Sequence, residues 1–537
     1  MAAESNQNRA GRWIALTAAL LILNLSLTFA NVWPTPAITW HGQVSVELAL
    51  CILLLAIASR FGPPSRALVR GLTAVWVLLV IGRYADVTAP ALYGRPINVY
   101  WDSRHVSAVV AMLARAASMW RVVLALIAAA LVPVLIYIVL RWAIGRVADA
   151  TRDPQRRRTL ALVAGLAVLW FAGQRLTARV PGIPAFSTPV TETYAHQARL
   201  LAAGLTGRAA RTLGPSPSFD SDLARVRGAD VFLFFLESYG AISFDRPEFA
   251  AELAASRAQL DADIHATGRD VVSAYVESPT FGGNSWLAHI SFLTGIEVRD
   301  EDANMLLMAQ KRETLATAFA QHGYRALAIM PGLQENWPEG AFYGFDAIYG
   351  GTRLDYHGPP FGWWTIPDQF AIARMDEREV APRQRAPVFV FFPTTGTHTP
   401  FRPTAPYQSD WARMLTEHPY DPADVKRMWN QEPDWLNLGP SYVQALQATY
   451  VTLGGYLRHR ADRDFVMILM GDHQPPAAVS GTGASWEVPV HVIASRPEVL
   501  EALRTHGFQS GLTPTHPAIS RMHELLPAML EAFGARE

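Results

Sequence analysis

Ala229-Asp230-Val231-Phe232-Leu233-Phe234-Phe235-Leu236-Glu237-Ser238-Tyr239-Gly240 decides the fold of this chain. An unbroken apolar run with no polar alternation describes a strand buried on both faces, and Glu237 stands where that strand reaches the sheet edge. Runs of the same kind recur at 271–277, 324–330, 387–392, 465–470 and 488–495, with helical patterns such as 313–322 and 442–460 between them. Strands separated by helices predict an α/β domain over residues 228–537, a mostly parallel sheet with helices on both faces. Ligands of such sheets bind beyond the carboxyl ends of the strands, so chemistry is expected there.

The upstream chain is of another kind. A length of 537 residues exceeds one compact domain. With 50% hydrophobic and 17% charged residues and a mean hydropathy of +0.12, a membrane portion is expected. The 46 basic residues balance 46 acidic ones, which supplies no field for nucleic acid. The single cysteine, Cys51, excludes a disulfide framework or a cysteine metal cluster. Trp13–Phe29, Val44–Ser59, Ala67–Ile81, Val122–Leu140 and Thr159–Gly173 predict a five-helix transmembrane bundle within residues 1–175. The first is read as a retained anchor, because no small-residue cleavage site precedes Asn31 and further spans follow.

Loop arginines orient the bundle. Arg9 and Arg12 precede the first span, Arg60, Arg66 and Arg70 separate the second and third, and Arg141, Arg146, Arg152, Arg156, Arg157 and Arg158 separate the fourth and fifth. The positive-inside rule puts the N-terminus in the cytoplasm and everything after the fifth span outside. The loop 83–119 is an arginine-bearing exception, but its part 106–120 reads as an amphipathic helix on the outer interface. Residues 176–227 form a predicted connector, helical near 191–213 and then broken by Gly214-Pro215-Ser216-Pro217-Ser218.

Three segments meet the expected sheet edge. Glu237 is either a turn residue or a ligand. Asp472-His473 follows the run 465–470 and offers a hard oxygen beside an imidazole, a pair suited to Zn²⁺ or Mn²⁺, unless it merely turns the chain before Pro475-Pro476. Gly282-Gly283-Asn284 is a flexible turn after which Ser285 opens a helix ending in Thr294-Gly295. A serine there suits phosphate or sulfate binding at the positive helix end, and a plain N-cap is the alternative.

Together, Glu237, Ser285 and Asp472-His473 in this order, behind an apolar N-terminal third, resemble the alkaline-phosphatase and sulfatase superfamily, in its lipoteichoic acid synthase and phosphoglycerol or phosphoethanolamine transferase branch. The resemblance implies a membrane bundle followed by an extracytoplasmic sulfatase-like domain. It nominates Ser285 over Thr280 or Ser278, since the modified residue of sulfatases likewise begins a helix that ends in Thr-Gly. Leu287 and His289 stand where sulfatase maturation needs Pro and Arg, so Ser285 is expected to act unmodified. His398, in Pro393-Thr394-Thr395-Gly396-Thr397-His398, matches the substrate-side histidine of the family. His289 and Asn284 become phosphate-contact candidates. In the stretch 330–340 only Trp337 survives of the donor-pocket groups of lipoteichoic acid synthases.

The implied activity is a metal-dependent phosphotransferase of the bacterial inner membrane. It would move a phospholipid headgroup through a phosphoserine intermediate to an envelope glycan or lipid acceptor. Phosphoglycerol is favoured over phosphoethanolamine, because the disulfides common in phosphoethanolamine transferases cannot form here. An exported phosphodiesterase or sulfatase-type hydrolase is the alternative, and a non-catalytic scaffold the third reading. Trp363 and Trp364 are further candidates for walls of a headgroup pocket.

Overall fold

The computed structural model describes residues 2–32, 36–93, 97, 99–103, 106, 110, 119–176, 185–206, 213–333, 337–362, 364–481 and 483–535. The chain divides into two compact units, one drawn from residues 1–206 and the other from residues 207–537 together with 93–95.

In the first unit, each expected apolar stretch falls on a helix: α1 (Ala2–Thr28), α2 (Val46–Ala58), α3 (Arg66–Tyr93), α4 (Met119–Ala150) and α5 (Pro154–Leu176). A short antiparallel pair, β1 (Phe29–Asn31) and β2 (Ile38–Trp40), follows α1. The helices bury Leu23, Leu27, Leu55, Trp76, Ile144 and Val147 against one another, while Leu124, Leu126, Leu131 and Leu135 of α4 are exposed. A helix apolar all round needs an apolar surrounding.

Five spans were expected, and among the described helices three are long and apolar enough to cross a membrane: Gly11–Thr28, Arg66–Pro90 and Met119–Ala150. α2 is apolar but has only 13 residues. In α5 the arginines 156–158 and Gln174-Arg175 flank an apolar centre shorter than a hydrocarbon core. The amphipathic segment expected at 106–120 lies almost entirely outside the described residues.

In the second unit the expected strands form one sheet: β3 (Asp230–Leu236), β4 (Asp270–Glu277), β5 (Arg325–Ile329), β6 (Ala347–Tyr349), β7 (Val388–Pro393), β8 (Phe465–Gly471), β9 (Glu487–Ala494), β10 (Gln509–Ser510) and β11 (Ser520–Arg521). The order is β10-β4-β9-β8-β3-β7-β5-β6, with β11 beside β4. β8, β3, β7, β5 and β6 run parallel. β9 runs antiparallel to both its neighbours, so the sheet is mixed. The cause is local. The chain between β8 and β9 holds only the short helix Ala477–Ser480, and without a crossover helix it returns antiparallel.

Alternate residues of β3 serve two cores. Val231, Leu233 and Phe235 pack on one face with α6 (Ser285–Thr294), and Phe232, Phe234 and Leu236 on the other with α7 (Gly439–His459). This double burial accounts for the missing polar alternation. At the end of β8, a Cβ on Gly471 would lie 1.9 Å from the Tyr239 carbonyl oxygen, so only glycine lets the turn after β3 touch its neighbour.

Candidate active site

β3 and β8 are adjacent and end level, Leu236 pairing with Gly471, so Glu237 and Asp472 emerge side by side. The chain then turns sharply, with Ser238 at φ 57°, a conformation that side chains other than glycine adopt only when held. It is held. Ser238 N donates to Asp472 Oδ1 at 2.8 Å and Ser238 Oγ to Glu237 Oε1 at 3.0 Å. The Glu237 backbone is gripped from β7's end, where its N donates to Thr394 Oγ1 at 3.0 Å and its carbonyl accepts from Thr397 Oγ1.

His473 is 1% exposed, like Asp472. Its Nδ1 donates to the Gln474 carbonyl at 2.7 Å, which turns the Nε2 lone pair toward the carboxylates. One ligand atom each from Glu237, Asp472 and His473 lies within 4.8 Å of the others. Burial, and then Glu237, push the Asp472 carboxyl up to about 6. Against the lowering effect of burial, Asp472 and Glu237 raise His473 above its ordinary value. Two buried carboxylates beside an imidazole fit a divalent cation, and the mixed oxygen and nitrogen set suits Zn²⁺ or Mn²⁺.

Ser285 joins this cluster from α6. Its Oγ donates to Glu237 Oε2 at 3.1 Å and lies 3.1 Å from His473 Nε2. Asn284 is the N-cap, at φ 60° and without a side-chain cap, so Ser285 is the first helical residue with its hydroxyl turned to the cluster. Thr280 Oγ1 donates to the Gly283 carbonyl at 2.7 Å and Ser278 Oγ to the Asp472 carbonyl at 2.6 Å, fixing the preceding loop. His289, one helical turn on, is buried against Phe235 and Phe391 at 4.6 and 5.3 Å between ring centroids. Its Nε2 has no hydrogen-bond partner among the described residues, and burial pushes it down to about 4, so it is a neutral imidazole.

His398 lies in a cleft lined also by Trp364, Asp368, Thr395, Arg402 and Thr449. Its Nδ1 donates to the Thr399 carbonyl at 2.7 Å. Burial holds it below its ordinary pKa, leaving Nε2 as an acceptor. Trp364 meets it edge to face at 5.5 Å. Trp337 instead packs on Tyr343, 5.3 Å away, and is not part of the cleft lining; Trp363 lies outside the described residues.

No family model matches the chain, and no curated protein does. Solved structures are similar in fold. One is a protein of the alkaline phosphatase superfamily from Vibrio parahaemolyticus, 15% identical at a TM-score of 0.39 over 60% of this chain and 69% of that one. The Streptococcus pyogenes phosphoglycerol transferase GacH, solved with sn-glycerol-1-phosphate, is 11% identical at 0.35 over 57% and 76%. The integral membrane lipooligosaccharide phosphoethanolamine transferase A (EptA) from Neisseria meningitidis is 14% identical at 0.45 over 91% of this chain and 96% of that one.

Nothing in their local sequence marks Ser238, Thr394, Thr397 or Asp368 as parts of a site. Asp368 accepts from Thr395 N and Gly396 N at 2.8 and 2.7 Å and from Thr395 Oγ1 at 3.1 Å, so it clamps the loop that carries His398. An Asp placed just after Pro367 reads as an ordinary first-turn residue, and its loop partners lie far along the chain.

Proposed function

We propose that the chain is a metal-dependent membrane phosphotransferase that moves a phospholipid-derived headgroup, phosphoglycerol in preference to phosphoethanolamine, to an envelope glycan or lipid. The observation that carries this reading is Ser285 Oγ, poised at a helix N-terminus within hydrogen-bond reach of both Glu237 and His473. Glu237, Asp472, His473 and the serine oxygen would hold a Zn²⁺ or Mn²⁺, which when bound would lower the pKa of the serine hydroxyl and neutralise phosphoryl charge.

Ser285 Oγ attacks the donor phosphorus as its proton passes to Glu237 Oε2. The bond from phosphorus to the diacylglycerol oxygen breaks, and diacylglycerol leaves with a proton taken from solvent. A phosphoserine diester remains. In the second step an acceptor hydroxyl attacks phosphorus, giving its proton to His398 Nε2, which returns it to solvent, and Ser285 departs and recovers its own proton from Glu237. The N-terminus of α6 stabilises the phosphoryl oxygens in both steps, with Asn284 and His289 beside it as phosphate contacts.

Residues 1–175 serve as a bundle of five crossings with a cytoplasmic N-terminus, 176–227 as a connector and 228–537 as the extracytoplasmic catalytic domain. A reporter fused after Glu537 should be active only outside the cytoplasm and one at Asp153 only inside; the reverse pattern sinks this orientation. The chemistry is tested with a headgroup-labelled phospholipid and no acceptor. The wild type should accumulate a labelled serine adduct that Ser285→Ala cannot form, and Ser285→Thr should keep part of the activity. Normal transfer by Ser285→Ala, or an aldehyde at Ser285 by intact mass, excludes the mechanism, and release of label to water alone assigns a hydrolase.

A further inference from the structure

The hydrogen bonds that Ser238 donates end on Asp472 and Glu237 themselves, so they cannot be what fixes those two carboxylates. A turn kept at φ 57° needs a hold from elsewhere. Two tyrosines supply it. Tyr442 of α7 donates from its hydroxyl to the Ser238 carbonyl at 3.0 Å. Tyr239, the next residue, has its carbonyl against Gly471 and its ring in the core, 2% exposed, where the hydroxyl lies 3.0 Å from His491 Nε2.

The direction of each bond in this buried chain is determined. Ser273 Oγ donates its one proton to the Gly511 carbonyl at 2.5 Å, so toward His491 Nδ1, 2.6 Å away, it can only accept. His491 therefore carries its proton on Nδ1 and presents a bare Nε2. Tyr239 donates to that nitrogen, and its oxygen accepts from the Tyr450 hydroxyl at 3.0 Å. Burial, with the Arg257 charge as a second cause, pushes His491 down to about 3, so the ring stays neutral.

His491 stands in the middle of β9, paired with Ser273 of β4 and with Leu469 of β8. A lone pair in the plane of a ring that the sheet holds accepts a hydroxyl along one direction, and a buried acceptor left bare is costly. Apolar contact has no such direction. The Tyr239 ring is thus tied to the sheet at a defined point, and the turn 237–240 is tied with it.

Resting on the metal-centre reading, we infer that the Tyr239–His491 pair is a positioning device for the cation, which references the turn after β3 to the middle of β9 and so keeps Glu237 and Asp472 at ligand spacing. Both nitrogens of His491 and the Tyr239 hydroxyl are spent within the chain, so neither residue is itself a ligand.

The test follows release of Zn²⁺ from the loaded full-length protein in detergent to an excess of a chelating dye, beside the unfolding midpoint of the metal-stripped protein. Tyr239→Phe keeps the ring and removes only the donor, and it should release the ion roughly tenfold faster. His491→Leu should match it, and the double variant should be no faster than either single, since both act through one bond. His491→Gln, whose amide oxygen can accept from Tyr239, should stay within about threefold of the wild type. A purely structural pair would lower the midpoint and leave release unchanged. Release at the wild-type rate from folded Tyr239→Phe or His491→Leu overturns the inference, as does a double variant whose effect is the product of the singles. Should Tyr239→Phe not fold, His491→Leu against His491→Gln decides. A wild type that retains no ion removes the metal reading and this inference together, whereas an ion released equally fast by wild type and variants removes this inference alone. The serine-adduct assay stands apart: the expected release rates without an adduct sink the transfer reading alone.

Discussion

Glu237 and Asp472 follow at once on two paired parallel strands, whereas His398 and Arg402 stand on a loop that has already left β7. The strand-end groups inherit their spacing from the β3–β8 ladder, which fixes the backbone before any side chain is placed. The loop groups depend on side chains reaching across the fold: Asp368 to Thr395 and Gly396, Gln431 and Gln444 to Arg402. A site built in these two ways should respond to mutation in two ways. The ladder side should fail by losing a ligand while keeping its shape, and the loop side should keep its ligands while losing its shape.

The sharpest way to break this contrast is at Asp472. Asp472→Ala should cost activity by about a thousandfold or more and abolish stoichiometric metal retention, read by elemental analysis, with membrane insertion intact. Asp472→Asn separates charge from shape, because its amide oxygen can still accept from Ser238 and His473. It should raise the unfolding midpoint of the metal-stripped protein, where two buried carboxylates repel, and lower that of the loaded protein. A fall in both states would mean that the cluster is not built around a cation.

Asp368 is the corresponding test of the loop. Asp368→Ala should lower turnover by roughly 10- to 100-fold through misplacement of His398 while metal content stays that of the wild type; loss of metal would show that the two sides are one unit. Its carboxyl also carries a pH signature. Burial raises the folded-state value from an ordinary 3.8 to about 6, so the folded chain holds a proton that the unfolded chain releases. The stabilising contribution is complete below about pH 3.8 and is lost as pH rises through about 6. Asp368→Asn should therefore flatten the fall in urea midpoint across that window, and an unchanged slope would assign it to another group. The smallest effect is expected at Trp337, whose ring packs on Tyr343. Trp337→Phe should change turnover by about twofold or less, whereas Trp364→Ala should raise KM for the donor.

The same contrast decides what could be read in advance. Each strand run was legible because burial on both faces leaves an unbroken apolar signature, and Glu237, Asp472 and His473 were legible because they follow such runs directly. The antiparallel turn of β9 was not, since its strand looks as apolar as its parallel neighbours and only the connection before it differs. Thr394, Thr397, Asp368 and Arg402 act through hydrogen bonds to partners distant in sequence, and nothing in their immediate neighbours distinguishes them from turn residues. In the first unit, five helices could be found by apolarity, but the arginines at the ends of α5 dilute the signal that would mark a crossing.

Gly471 gives the ladder side one more property. With the Tyr239 carbonyl where a Cβ would sit, the distance between the two ligand-bearing strand ends is set by main chain against main chain. Exchange of Glu237 or Asp472 for other donor side chains would then alter which ion is preferred without moving the frame that holds it. Gly471→Ala would leave every donor in place and spread the frame itself. Metal choice and metal geometry are in this way separately adjustable, and a designer could vary the first freely so long as that single hydrogen in place of a methyl group is preserved.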